Sequence, residues 1–209
     1  MFRIILIIAC ALGLITMIFN GYISYEFVNN FSKGIEEKNK KLDEIFQFQR
    51  YLSALKDAET GERGYVITGN KAYLEPYESA IKFVNSPETK AFLEKAEKEN
   101  TINDDVKQLR KLAHTKIEEL QYVIDKYDTL GFKAAQEAIS SNLGKNTMDQ
   151  IRTIAEEISL EKQNFLLNHE IKMASNLSFL INLIVSINIL YICLISICLY
   201  TLYKETTKT

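Results

Sequence analysis

Only two histidines and three cysteines occur in the 209 residues, and where they fall removes several classes of function. Cys10, Cys193 and Cys198 all sit inside apolar runs. The polar part of the chain therefore has no thiol for a disulfide, and its redox compartment is unmarked. His114 and His169 stand apart from any thiol cluster, so neither they nor the cysteines suggest a zinc site. No serine or cysteine nucleophile accompanies them with a base and an orienting group, and both read as residues of polar helix faces. Dense basic blocks of the kind that bind nucleic acid are absent. No stretch alternates apolar and polar residues long enough to suggest a strand. Asn142-Leu143-Gly144-Lys145-Asn146-Thr147 lacks the earlier glycine of a phosphate loop and reads as a bent helix start. No catalysis, cofactor or metal is expected.

What the chain does have is two long uncharged segments. Ile4 to Tyr25 runs 22 residues and Met173 to Tyr203 runs 31 without a formal charge, against about 20 for a spanning helix. Residues 1–25 read as an uncleaved anchor. Phe19-Asn20-Gly21-Tyr22 is a poor cleavage site, and only a short apolar stretch precedes Cys10 in the lipobox-like Ile7-Ile8-Ala9-Cys10. Arg3, with Lys204 and Lys208, favours both termini in the cytoplasm. The expected order is a transmembrane anchor at 1–25, an extracytoplasmic domain at 26–176, a second transmembrane helix at 177–203 and a cytoplasmic tail at 204–209, all in the inner (cytoplasmic) membrane. The outer part keeps 22 of the 25 basic and 26 of the 27 acidic residues, a mixed and mildly acidic surface typical of amphipathic helices. Within the spans, Ala9 and Gly13 form a small-xxx-small pair. Asn182, Ser186 and Asn188 place polar groups in the second span. These features serve either to join the two spans of one chain or to make a dimer contact.

The periodicity predicts helices throughout. One runs from Glu26 to about Ile67, continuous with the first span and free of proline, with Leu42, Ile45, Gln49, Leu52 and Leu55 on one face. Gly69-Asn70 marks a turn. A second helix carries Tyr73, Leu74, Tyr77, Ile81 and Val84, with Pro76 in its first turn. Ser86-Pro87-Glu88 looks like a restart with serine as N-cap, leading to about Glu99. After a polar connection at Asn100 to Asp104, a third helix carries Val106, Leu109, Ala113, Ile117, Leu120, Ile124 and Tyr127, and Gly131 ends it. Phe132 to Ser141 reads as a short helix and Asn142 to Lys145 as a turn. The last helix, from Asn146 to about Asn176, has Ile151, Ile154, Ile158 and Phe165 on one stripe and enters the second span. Together these describe an all-α antiparallel four-helix bundle with two long membrane-connected helices.

Carrying the first stripe forward from Ile45 and Leu52 reaches Glu59 and Val66, with Arg63 one turn beyond. Charges on a buried face are costly unless paired. The plain alternative is an i,i+4 surface pair worth about 0.2–0.5 kcal/mol. Extending the last stripe places Glu161 on the buried side, bordered by Arg152. Glu59 and Arg63 are thus expected to meet Arg152 or Glu161 in a buried polar cluster joining the two membrane-connected helices.

The run DAETGERGYVITGN-KAYLEPYE resembles the opening signature of CHASE3 domains, and Leu130 to Leu167 resembles the second half of the same family. These are extracytoplasmic sensory modules of bacterial histidine kinases and related receptors. On the first run the resemblance covers Glu59, Thr60, Arg63, Gly64, Tyr65, Tyr73 and Tyr77. On the second it covers Gly144, Lys145, Met148, Asp149 and Arg152. Tyr73, Tyr77, Gly144, Lys145 and Met148 are candidates for ligand contact or packing. The resemblance implies a periplasmic sensor of an undefined signal, acting on a second copy of itself or on a partner membrane receptor or histidine kinase. Only Lys204 to Thr209 follow the second span, so the output is expected to be supplied in trans or to have been lost by truncation. A helical stalk or scaffold subunit of a membrane complex is the alternative reading.

Overall fold

The computed structural model describes residues 2–99 and 102–206. Helix α1 spans Phe2–Thr68, a single 3-10 turn spans Lys71–Leu74, and α2 spans Glu75–Val84. Helix α3 spans Pro87–Ala96, α4 Asn103–Leu130, α5 Phe132–Ser140 and α6 Leu143–Thr206. No strand occurs among the described residues, and the fold is all-α. Asn100 and Thr101, from the expected polar connection, lie outside the described residues, as do Lys208 and the rest of 207–209.

Local chemistry accounts for the breaks. Gly69 at φ 67° and Gly131 at φ 82° take left-handed backbone that a side chain would strain, ending α1 and α4. Asn142 at φ 59° does the same between α5 and α6, being one of the few non-glycine residues that tolerate it. Asn70 accepts from the Ala72 N–H to open the 3-10 turn. Ser86 accepts from the Thr89 N–H to cap α3, whose first residue is Pro87. Two expectations shift here. The chain turns only at Ser141-Asn142, so Gly144 and Lys145 already belong to α6. Pro76 stands in the first turn of α2, but the 3-10 turn takes up Tyr73 and Leu74.

The chain forms two compact units, residues 41–165 and residues 1–40 with 166–209, and α1 and α6 contribute to both. The first unit has the larger core. Phe48, Tyr51 and Leu55 of α1 meet Leu93 of α3, Val106 and Leu109 of α4, and Met148, Ile151 and Ile158 of α6. A second cluster joins Ala58 and Tyr65 to Tyr77, Leu120 and Ile124. In the other unit, the Tyr191 hydroxyl donates to the Ala9 carbonyl at 3.4 Å and lies where a side chain at Gly13 would stand. The Ala9/Gly13 face thus receives an aromatic ring from the apolar stretch of α6 in the same chain. Ser186 and Asn188 bond back to carbonyls of their own helix. By length and composition, both α1 and α6 include an apolar stretch able to cross a membrane.

Candidate functional site

Ile45, Leu55, Glu59 and Val66 of the stripe read off the sequence are buried, but the buried face of α1 is wider than that stripe and centred about one residue away. Its line runs Glu44, Phe48, Tyr51, Leu55, Ala58, Glu62, Tyr65, in alternating steps of four and three. Gln49 is exposed and Leu52 only half-buried. The turned face brings in Glu62, keeps Glu59 and swings Arg63 outward. Glu59 is 6% exposed and Glu62 2%, whereas the Arg63 side chain is 51% exposed. Arg63 therefore does not enter the core as expected. It reaches back along the surface to Glu59 Oε1 at 3.0 Å.

The ion that does enter is Lys116 of α4. Its stripe, Leu109, Ala113, Lys116, Leu120, Val123, puts an ammonium where the pattern calls for an apolar side chain. Lys116 Nζ donates to Glu59 Oε1 at 3.0 Å and to Glu119 Oε2 at 2.8 Å. Arg152 of α6 approaches Glu59 Oε2 at 3.9 Å and bonds Asp149 Oδ1 at 2.7 Å. Glu59 of α1 is thereby tied to both α4 and α6. Glu62 lies in the same cluster, with Oε1 buried and without a hydrogen-bond partner among the described residues. Burial first, then the neighbouring Glu119, push its carboxyl up to about 7, against the opposing pull of Lys116 and Arg63.

Glycines shape this site by leaving room. A side chain at Gly144 would meet the Glu119 carboxylate at 2.4 Å. At Gly61 it would meet the Tyr73 carbonyl at 2.8 Å, and at Gly64 the Tyr73 ring at 2.6 Å. The signature glycines thus let the Tyr73–Tyr77 stretch lie directly on α1 and let Glu119 tuck against the start of α6. Tyr77 is buried, and its hydroxyl donates to Gln121 at 2.7 Å. The Tyr65 hydroxyl donates to Asp128, and its ring packs edge-on to Tyr127 at 4.9 Å. Thr60 is exposed and donates to the Lys56 carbonyl of its own helix. Met148 is a core residue, Tyr73 is half-exposed and Lys145 faces solvent.

Glu161 does not join the cluster. It is half-buried, and the buried position belongs to its neighbour Lys162, 4% exposed, because the α6 stripe runs Met148, Ile151, Ala155, Ile158, Lys162. Phe165, expected on the stripe, is 41% exposed. Lys162 centres a second buried cluster that sequence reading missed. Its Nζ donates to Glu44 Oε2 at 2.8 Å and Glu99 Oε2 at 3.1 Å. Lys41 donates to the same two carboxylates, each at 3.0 Å. Burial raises the Glu44 carboxyl, but its bonds to Lys162 and Lys41 outweigh that and hold it below the usual carboxylate range. The overlooked signal was a charged residue at a stripe position, seen at Glu44, Lys116 and Lys162 alike.

Fold and site together define an all-α helical module, its core crossed by paired ions and its two longest helices apolar at one end. The model of the CHASE3 domain family matches residues 34–170, well over half of the chain. The protein belongs to that family, which is extracytoplasmic and sensory and is not a catalytic one. No curated protein and no solved structure matches the chain.

Proposed function

We propose that the protein is a membrane-anchored sensor that perceives a signal outside the cytoplasm and relays it across the inner membrane. Residues 1–25 and 177–203 are its two spans, residues 26–176 its outer domain, and residues 204–209 a cytoplasmic tail. The observation that carries this reading is the CHASE3 match at 34–170, on a chain whose α1 and α6 each include a stretch apolar enough to span. A bound ligand, or a contacting membrane protein, shifts the bundle between two packings. The Glu59–Lys116–Arg152 contacts tie α1, α4 and α6, so a change of packing exchanges ion pairs between discrete partners. Shifts of about 1–2 Å along α1 and α6 are the usual currency of such relays. The receiver is a second copy of the chain or a membrane receptor or histidine kinase.

Photoreactive residues placed singly within 177–200, crosslinked in cells and read by mass spectrometry, test the relay. Recovery of a kinase or receptor supports it, whereas recovery of self-contacts alone favours a stalk or scaffold. Topology is tested separately by replacing the native cysteines and adding one at exposed Thr60 or Lys145. Membrane-impermeant thiol reagents label both positions from outside intact cells if the assignment is right, and neither if the domain is cytoplasmic.

A further inference from the structure

Within the unit formed by residues 41–165, a groove of about 790 Å³ lies against α1, between the α2–α3 break and α4. Its volume falls in the range of about 300–1,000 Å³ typical of small-molecule sites. Tyr51, Val84, Leu93 and Ile117 supply apolar surface, while Lys90, Lys107, Arg110 and Lys111 bring positive charge. Glu97 is the one acidic residue in the lining, and it is taken by Arg110 at 2.6 Å. Among the described residues Lys107 pairs with the exposed Asp104 alone, at 3.6 Å. Lys90 and Lys111 make no ion pair among the described residues. Surplus positive charge on an otherwise acidic domain focuses potential in a concave site.

A second observation points the same way. Tyr51 is 3% exposed and lines the groove. Its hydroxyl makes no hydrogen bond to the protein among the described residues and is not one of the sealed, unpartnered oxygens, so it stands open to a partner in the groove. Burial pushes its pKa up to about 12, against the lowering effect of Arg110, so the phenol keeps its proton at physiological pH. The groove thus offers an unused O–H donor and uncompensated ammonium groups beside an apolar surface.

We propose that this groove binds a small organic anion, its oxyanion head held by Lys90, Lys111 and the Tyr51 hydroxyl and its apolar body against Val84, Leu93 and Ile117. The assignment rests on the sensory reading for its role as a stimulus, and names the chemical class that would be sensed. A bound anion would pull α3 and α4 together across Lys90 and Lys111.

The test uses the full chain in nanodiscs, with empty nanodiscs as the lipid control. Phenylacetate and hexanoate are titrated beside their neutral amides and beside inorganic phosphate, with binding read by saturation-transfer NMR. At least one acid is expected to bind saturably, at least tenfold tighter than its amide. Tyr51→Phe, which keeps the ring and its packing, should weaken it about fivefold to tenfold. Lys90→Gln with Lys111→Gln, both on the surface, should weaken it further. The proposal is overturned if neither acid binds, if acid and amide bind alike, if phosphate alone binds as well as the acids, or if the variants leave affinity unchanged. Crosslinking in the spans reports independently. Failed binding with a recovered receptor sinks the groove and keeps the sensor, while binding with no recovered partner does the reverse.

Discussion

Two ion clusters are buried in the same helical unit, and they balance their charge differently. Around Lys162 the charges balance, two lysines against two glutamates: Lys162 and Lys41 each donate to both Glu44 and Glu99, while Glu44 Oε1, buried and without a hydrogen bond among the described residues, has Lys95 at 3.8 Å. Around Lys116 they do not, because Glu59 and Glu119 already take its ammonium and the buried Glu62 is a third carboxyl, with no hydrogen bond to its Oε1 among the described residues. A buried ion is tolerated when its charge is matched by a partner's. The first cluster therefore behaves as a clamp, and the second keeps one surplus carboxyl whose protonation the core itself regulates.

The largest expected difference between them comes from removing the central lysine. Lys116→Met should cost about 3–4 kcal/mol, since it strands Glu59, Glu119 and Glu62 in a site that the half-exposed Arg63 and Arg152 reach only from outside. Lys162→Met should cost about 2 kcal/mol, because Lys41 remains bonded to both carboxylates. Urea unfolding of the full chain in detergent, followed by tyrosine fluorescence, measures both. Equal losses would erase the distinction between clamp and surplus.

Next in size is the response to pH, and the two clusters should respond with opposite signs. Glu62 has a folded pKa of about 7, raised from 4.5, so the folded state holds this proton more tightly than the unfolded one. Its contribution is greatest below about 4.5, declines as pH rises towards 7 and is level above that. Glu44, held below 4.5 by Lys162 and Lys41, contributes fully above that value and loses its contribution as pH falls through its folded pKa. Glu62→Gln should remove the first slope and raise stability at pH 8 by about 1–2 kcal/mol, with little change at pH 5. Unchanged stability at pH 8 would show that Glu62 is solvated in solution.

Smaller still is the coupling of Glu59 to Arg152. At 3.9 Å, with Arg152 43% exposed, a double-mutant cycle on Glu59→Gln and Arg152→Gln should return about 0.5–1 kcal/mol. Additive single losses would mean that α1 and α6 are not held by this pair, and with it would go the proposed exchange of ion pairs during signalling.

Much of this was legible in the sequence because helical periodicity, capping serine and left-handed glycine act locally. Ser86 capping α3, the turns at Gly69 and Gly131, and the restart at Pro87 all follow from the residues within one turn of them. Phase was less legible. A stripe drawn through Ile45 and Leu52 and one drawn through Phe48 and Tyr51 both satisfy the period. Ile45 and Val66 of the first are buried, and packing against α4 and α6 centres the face on the second, leaving Leu52 half-buried and Gln49 exposed. That small rotation moved Arg63 out and Glu62 in, and the same effect on α6 replaced Glu161 by Lys162. Lys116 was passed over because a lysine at a stripe position is ordinarily solvated, and its two carboxylate partners lie on α1 and one turn along α4. The glycines at 61, 64 and 144 could be flagged but not explained, since what they make room for is far away in the chain.

Arg63 gives the smallest effect and the most direct check on that rotation. It belongs to the signature run and pairs with a buried glutamate at 3.0 Å, yet half of its side chain is in water. Lys116 already holds Glu59 from the inside. An exposed i,i+4 pair is worth about 0.3–0.5 kcal/mol and is weakened by salt. Arg63→Ala should therefore cost no more than about 0.5 kcal/mol in low salt, and less in 0.5 M NaCl. A loss near 3 kcal/mol that salt leaves unchanged would place the guanidinium inside the core, return α1 to the phase drawn through Ile45 and Leu52, and leave Glu62 facing solvent without its raised pKa.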